Sequence, residues 1–384
     1  MNKKELAELR KNFSESSGLF TINQVLSAYV DAEKNISCKS SRLHSIIPDD
    51  EGEVLMDMLK KVLSGSMGRG LIEYGFPNES YEDGGTQNIL YTLRKSKLND
   101  EIAVDAFLNQ IIENIKYESA FAIITGYCSY SIISKDKNDE ALENADGEYN
   151  FIVTAICPVN TGNDGLVIDE VSNSIFKKLN VEMVISRTPT DGFLYPVFSD
   201  RSPDINHVMY FTKTPNKPNI SIVNDVLGCE FIMSAQNEKE KFQQVIASVV
   251  GDDLDYTVIT KVNEKIQEVI EQSKHETELP VIDDRKLRTI LSDAGVCDEK
   301  LEGLSAVYTD TVGKAGLTAS NLVETKTVVA TPEITINIKN GATDKIRTSL
   351  IQGRKCLIID LDDPSIMING LSTNLGFSEL QTVT

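Results

Sequence analysis

Only three histidines, His44, His207 and His275, occur in 384 residues, too few for a metal site built from several imidazoles. The six cysteines (Cys38, Cys128, Cys157, Cys229, Cys297 and Cys356) include no CxxC pair. That excludes the common zinc and thiol-redox spacings and leaves buried, reduced thiols as the reading. No run of about eighteen apolar residues occurs, so no membrane-spanning helix is expected. The start MNKKELAELRKNF is charged and lacks the apolar core of a signal peptide, which points to a cytoplasmic protein. GxxxxGK[ST], GxGxxG, GxSxG and HExxH are all missing, so no cofactor and no metal are expected. Basic residues are also in short supply, 38 against 58 acidic ones, for a net charge of -20. Such a surface repels nucleic-acid phosphates and anionic membranes, so neither is an expected partner.

What is present describes an ordinary folded protein, with 41% hydrophobic and 25% charged residues. The length suits two or three domains at roughly 100–200 residues each. Part of the acid is local: residues 133–170 hold nine acidic and two basic side chains, and residues 251–303 hold fourteen and seven. A solvated acidic face explains this, and an acidic surface that imitates DNA is the sharper alternative.

The periodicity predicts an amphipathic helix over 3–12, then a hairpin in which QVLSAYV and NISCKS flank residues 31–34. Pro48 and the acids after it start a helix whose Val54, Leu55, Met58, Leu59 and Val62 share one face, with Gly65 as its end. Helices follow over 86–98 and 100–117, the second marked by Ile102, Phe107, Ile111, Ile112 and Ile115. From residue 120 the period shifts. FAIITGYCSYSII and NFIVTAICPV read as neighbouring strands joined by a polar loop over 135–149, and VEMVIS, FLYPVF and HVMYFTK add three more, with a turn over 188–192. EFIMSA reads as a short strand before helices over 238–250 and 260–274. The expected fold class is α+β, with a mostly antiparallel sheet and flanking helices. The first domain is expected over 1–275, helical over 1–118 and sheet-rich over 119–275. A linker over 277–282 precedes a helical hairpin over 283–314, whose helices start at Asp284 and Asp298. Its second helix is acidic, which argues against DNA reading. A small β module over 320–373 and a tail over 374–384 complete the chain.

Three segments are candidates for chemistry. Asp360, Asp362 and Asp363 cluster before Pro364, but without calcium-loop spacing they read as a turn. GSMGRG over 65–70 offers amides and Arg69 to a phosphate, yet it follows a helix, so the dipole points the wrong way and a chain reversal is the better reading. The densest group lies in GFLYPVFSDRSPDINHVMYFTK, where Asp200, Arg201, Asp204 and His207 fall within eight residues between two strand-like runs. As a ligand site, His207 acts as acid or base, oriented by Asp200 or Asp204, while Arg201 holds an anionic group. As a structural loop, an aspartate closes an Asx turn and Arg201 pairs with a carboxylate of the same loop.

The start MNKKELAELRKNF, the segments LSGSMGRGLIEYGFP and EDGGTQ, the long stretch around Arg201, and IQGRKCLIIDLDDPSIMING together resemble the bacterial domain-of-unknown-function family 4317 over nearly the full length. The resemblance implies a bacterial cytoplasmic protein in a single full-length unit and assigns no activity, cofactor or site residue. The leading expectation for function is a non-enzymatic protein that binds another macromolecule, with a protein as partner. The alternatives are an enzyme or ligand-binding protein using the Asp200 to His207 loop on an anionic small molecule, and an acidic decoy for a nucleic-acid-binding protein.

Overall fold

The computed structural model describes residues 1–135, 141–161, 166–169, 174–177, 183–313, 316–323, 327–338, 345–360, 365–368 and 371–374. Two compact units emerge, Met1–Glu240 with Ser273–Pro280, and Lys241–Gln272 with Val281–Thr384.

The first unit opens with α1 (Lys3–Asn12), whose Asn2 and Glu5 form a reciprocal capping box at its start. β1 (Phe20–Val30) and β2 (Ile36–Leu43) form the expected hairpin. α2 (Asp49–Lys61) carries three acids in its first turn, and β3 (Leu71–Gly75) follows. α3 (Thr86–Lys95) and α4 (Glu101–Asn114) precede the two long strands β4 (Phe121–Lys135) and β5 (Ala141–Thr161). The short ladder of β6 (Leu166–Asp169) and β7 (Ser174–Lys177) comes next, then β8 (Met183–Ile185), β9 (Asp191–Tyr195), β10 (Val197–Ser199), β11 (Ser202–Asp204) and β12 (His207–Thr212).

The strands assemble in the order β2-β1-β4-β5-β9-β12-β3, every pair antiparallel, with β8 added to the end of β5. Both faces are covered. Leu6 and Leu9 of α1 with Phe13 just after it, and Leu55, Met58 and Leu59 of α2 with Val62 just after it, pack on one face. Leu90 and Leu93 of α3 and Phe107, Leu108 and Ile111 of α4 pack on the other. α2 lies close enough that only glycine fits beneath it. A Cβ on Gly126 would sit 2.7 Å from Leu59, and one on Gly192 would sit 2.5 Å from the Thr154 carbonyl and 2.9 Å from Val62.

The fold class is α+β with an antiparallel sheet and flanking helices, as the strand and helix patterns imply. Four local expectations need correction. Ile102 is 85% exposed, because the buried stripe of α4 begins with Ala103 and Val104 and continues through Phe107 and Ile111. The polar connection expected over 135–149 is much shorter. Ser131 stands opposite Glu148 and Lys135 opposite Ala141, because backbone amides and carbonyls pair in a ladder whether the side chains are polar or apolar. Only residues 136–140 of that segment lie outside the described residues. EFIMSA, over 230–235, forms no strand, and the turn expected over 188–192 gives way at Asp191 to β9.

α5 (Ala235–Val250) and α6 (Tyr256–Gln272) lead into the rest of the chain. In the second unit, β13 (Val281–Ile282) pairs with β14 (Leu317–Thr318) around α7 (Asp284–Ala294), α8 (Asp298–Leu301) and α9 (Leu304–Val312). Asp283, one residue before the expected cap, accepts from the Lys286 amide, and Gly295 ends α7 at φ 100°. α10 (Ala319–Leu322) packs against α6. β15 (Thr327–Ala330) with β16 (Thr335–Ile338), β17 (Ile346–Ile351) with β18 (Arg354–Ile359), and β19 (Ser365–Ile368) with β20 (Leu371–Asn374) are three separate two-stranded ladders. β20 carries the strands one residue past the β module expected over 320–373, and residues 375–384 of the expected tail lie outside the described residues.

Candidate functional site

The loop singled out in the sequence is a tight hairpin. Ser199 pairs with Ser202, and the two residues between them, Asp200 and Arg201, take φ 48° and 57°. Positive φ at both central positions is the geometry of a type I′ turn, which matches the twist of the flanking strands. Pro196, after a cis bond, lies between β9 and β10, and β10 pairs with β11 rather than with the main sheet.

The four candidate residues divide between different surroundings. Arg201 pairs outside its own loop, with α1. Its guanidinium donates to Glu8 Oε2 at 3.0 Å, and its amide donates to Glu5 Oε1 at 3.3 Å, so it fastens the hairpin to α1. The cation that an anionic ligand would require is therefore already engaged by a carboxylate. Asp204 takes the Asx-turn role, with Oδ1 accepting from the Asn206 amide at 3.0 Å. Its Oδ2 lies 2.6 Å from Nδ1 of His207. Asp200 forms the turn itself.

A residue far away in sequence completes the group. β12 pairs with β3 so that His207 faces Gly75 and Met209 faces Glu73, which puts His207 and Glu73 on the same face of the sheet. Ligand atoms of Glu73, Asp204 and His207 lie within 4.8 Å of one another. All three are half-buried, with side-chain exposures of 29%, 28% and 41%. The α-amino group of Met1 donates to Glu73 Oε2 at 2.6 Å. The loop behind is pinned by Gln87, which donates to the Ile205 carbonyl at 2.9 Å, and by the Phe76 amide donating to the Asn206 carbonyl at 2.9 Å.

A second polar group, not anticipated from the sequence, lies inside the sheet. Asp191 is 2% exposed and accepts from the hydroxyls of Tyr117 and Tyr210, the latter at 2.6 Å. Burial raises its carboxyl above the usual range, partly offset by hydrogen bonds from Tyr117, Tyr210 and Thr212. The same burial, with the nearby Asp191 charge, pushes both tyrosines up. The network is satisfied and enclosed, which suits a structural fastening between α4's exit and strands β9 and β12.

The other candidates read plainly. In the 65–70 segment the amides of Arg69, Gly70 and Leu71 all donate to the Ser66 carbonyl, so they close a chain reversal. The aspartate turn falls outside the described residues except for Asp360, whose carboxylate pairs with Arg347 at 3.1 Å. Cys128, Cys157 and Cys229 are buried, and burial pushes the Cys157 and Cys229 thiols up to about 12. A cleft of about 700 Å³ between α2 and the segments that follow α1 and β2 is lined by Phe13, Ile47, Met56, Asp57 and Lys60 among others. Among the described residues, no helix is long and apolar enough to cross a membrane.

No curated protein matches the chain. A family model described as a domain of unknown function, DUF4317, matches residues 1–371. The match runs through the α+β unit, the hairpin with its histidine and the C-terminal ladders as far as Leu371, and the chain therefore belongs to the DUF4317 family.

Proposed function

We propose that this chain is an acidic cytoplasmic protein of bacteria that acts by binding another protein rather than by chemistry of its own, with the C-terminal ladders as its contact surface. One observation carries the reading: among the described residues, three two-stranded ladders and the turn between β15 and β16 hold exposed aliphatic side chains. Val328 is 52% exposed, Ile334 59%, Ile351 45%, Ile359 46% and Leu371 74%. A two-stranded ladder is marginal in water by itself, and exposed apolar side chains on such ladders suit a contact surface. A partner that covers these side chains stabilises the ladders and buries the apolar area together. The net charge of -20 favours a partner with a basic rim.

The test compares capture of partners by the tagged full chain with capture by Ile351→Lys, Ile359→Lys and a control, Ile102→Lys, whose side chain is exposed on α4. A specific partner should be lost with the first two variants and kept with the control. Retention by all three would remove the ladders as the contact surface.

A further inference from the structure

We propose that Glu73, Asp204 and His207 form a binding site for one divalent transition-metal cation. The donor set is one imidazole nitrogen and two carboxylates, a combination that suits zinc, manganese or iron and needs only one histidine. The three ligand atoms already lie within 4.8 Å of one another, so small side-chain rotations bring them around a single ion.

The site is built on three strands. β3 carries Glu73, β11 ends at Asp204 and β12 begins at His207, and the β3–β12 register brings residues 134 positions apart in the chain onto one face. Each ligand is oriented. Asp204 spends Oδ1 on the Asn206 amide, which turns Oδ2 toward His207, as outer partners orient carboxylates in metal sites. The His207 ring lies over Gly75, where a Cβ would come 3.4 Å from Nε2, so the ring fits against a position without a side chain. Charge favours a cation here. Two carboxylates flank one imidazole, and Glu73 already holds the Met1 ammonium at 2.6 Å. A divalent ion replaces that single charge with a double one and engages Asp204 and His207 as well. Partial exposure of all three side chains gives an ion a path from solvent. None of this depends on the C-terminal ladders.

The experiment uses the full chain, stripped with a chelator and titrated with Zn²⁺ and separately with Mn²⁺ by calorimetry. We expect saturable binding of one ion per chain. His207→Ala and Glu73→Gln should each weaken it by at least about tenfold, the lower end of what loss of even an outer partner costs. His275→Ala and the double change Cys38→Ser with Cys297→Ser, which alter exposed side chains elsewhere, should leave it unchanged. Circular dichroism establishes that each variant is folded. If His207→Ala does not fold, Glu73→Gln decides. Lack of saturable binding by either ion, or binding that survives Glu73→Gln, overturns the site.

Discussion

Asp191 shows how one buried charge sets a pH dependence. Its carboxyl is raised above the ordinary value, so the folded chain holds that proton more tightly than the unfolded chain does. The associated stability is complete below the ordinary carboxylate range and is lost as pH rises through the raised value. In Asp191→Asn this contribution is gone. The stability of the native chain relative to Asp191→Asn should therefore increase as pH falls from neutral toward the ordinary carboxylate range, as read by urea unfolding across that interval. A gap that stays constant or closes on acidification would show that the two tyrosines fully offset the burial.

At the same scale, Arg201 and Glu8 show why adjacency misleads. Four functional groups in eight residues suggest one site, but a type I′ turn points neighbouring side chains in different directions. Arg201 reaches α1, while His207, the first residue of β12, takes its direction from the strand pleat. Glu73 is legible in hindsight, since alternation in LIEYG places it on the same face as buried Leu71, a costly position for an unpartnered acid.

Among the elements, the approach of α2 to the sheet is the most constrained contact. The three-and-four spacing of Leu55, Met58, Leu59 and Val62 gives the buried face of the helix. How near that face lies to the sheet depends on Gly126 and Gly192 in β4 and β9. Gly192→Ala forces a methyl against the Thr154 carbonyl and Val62 and should lower stability by about 1–3 kcal/mol, the usual cost of overpacking. Thermal unfolding measures it. An unchanged midpoint would mean that α2 shifts away at little cost. The strands themselves were well marked by β-branched and aromatic runs, and the helices by their apolar spacing, with the start of α7 expected within one residue of its cap, Asp283. The extension of β4 and β5 beyond their apolar centres was not, because polar residues join a ladder through the backbone alone.

On the scale of the whole molecule, the chain passes between its two compact units more than once, since Lys241–Gln272 groups with Val281–Thr384 while Ser273–Pro280 groups with the first unit. α6 buries Val262 and Ile266 and packs against α7 and α10. A fragment ending at residue 275 keeps α6 but loses both of these neighbours. It should bind an apolar dye and lose residues 241–275 early to protease, whereas the full chain protects them. Equal protection of α6 in fragment and full chain would mean that its apolar face is covered without α7 and α10.

The sequence by itself determined the fold class, the hairpin of β1 and β2, the positions of most helices and the reduced state expected of the cysteines. Those features follow from local periodicity, capping residues and composition, which act over a few neighbours. Tertiary structure alone decided that Arg201 serves α1, that Asp191 gathers Tyr117 and Tyr210, and that Glu73 joins Asp204 and His207. These outcomes depend on strand order and register, and a shift of one residue in β3 would turn Glu73 to the opposite face of the sheet.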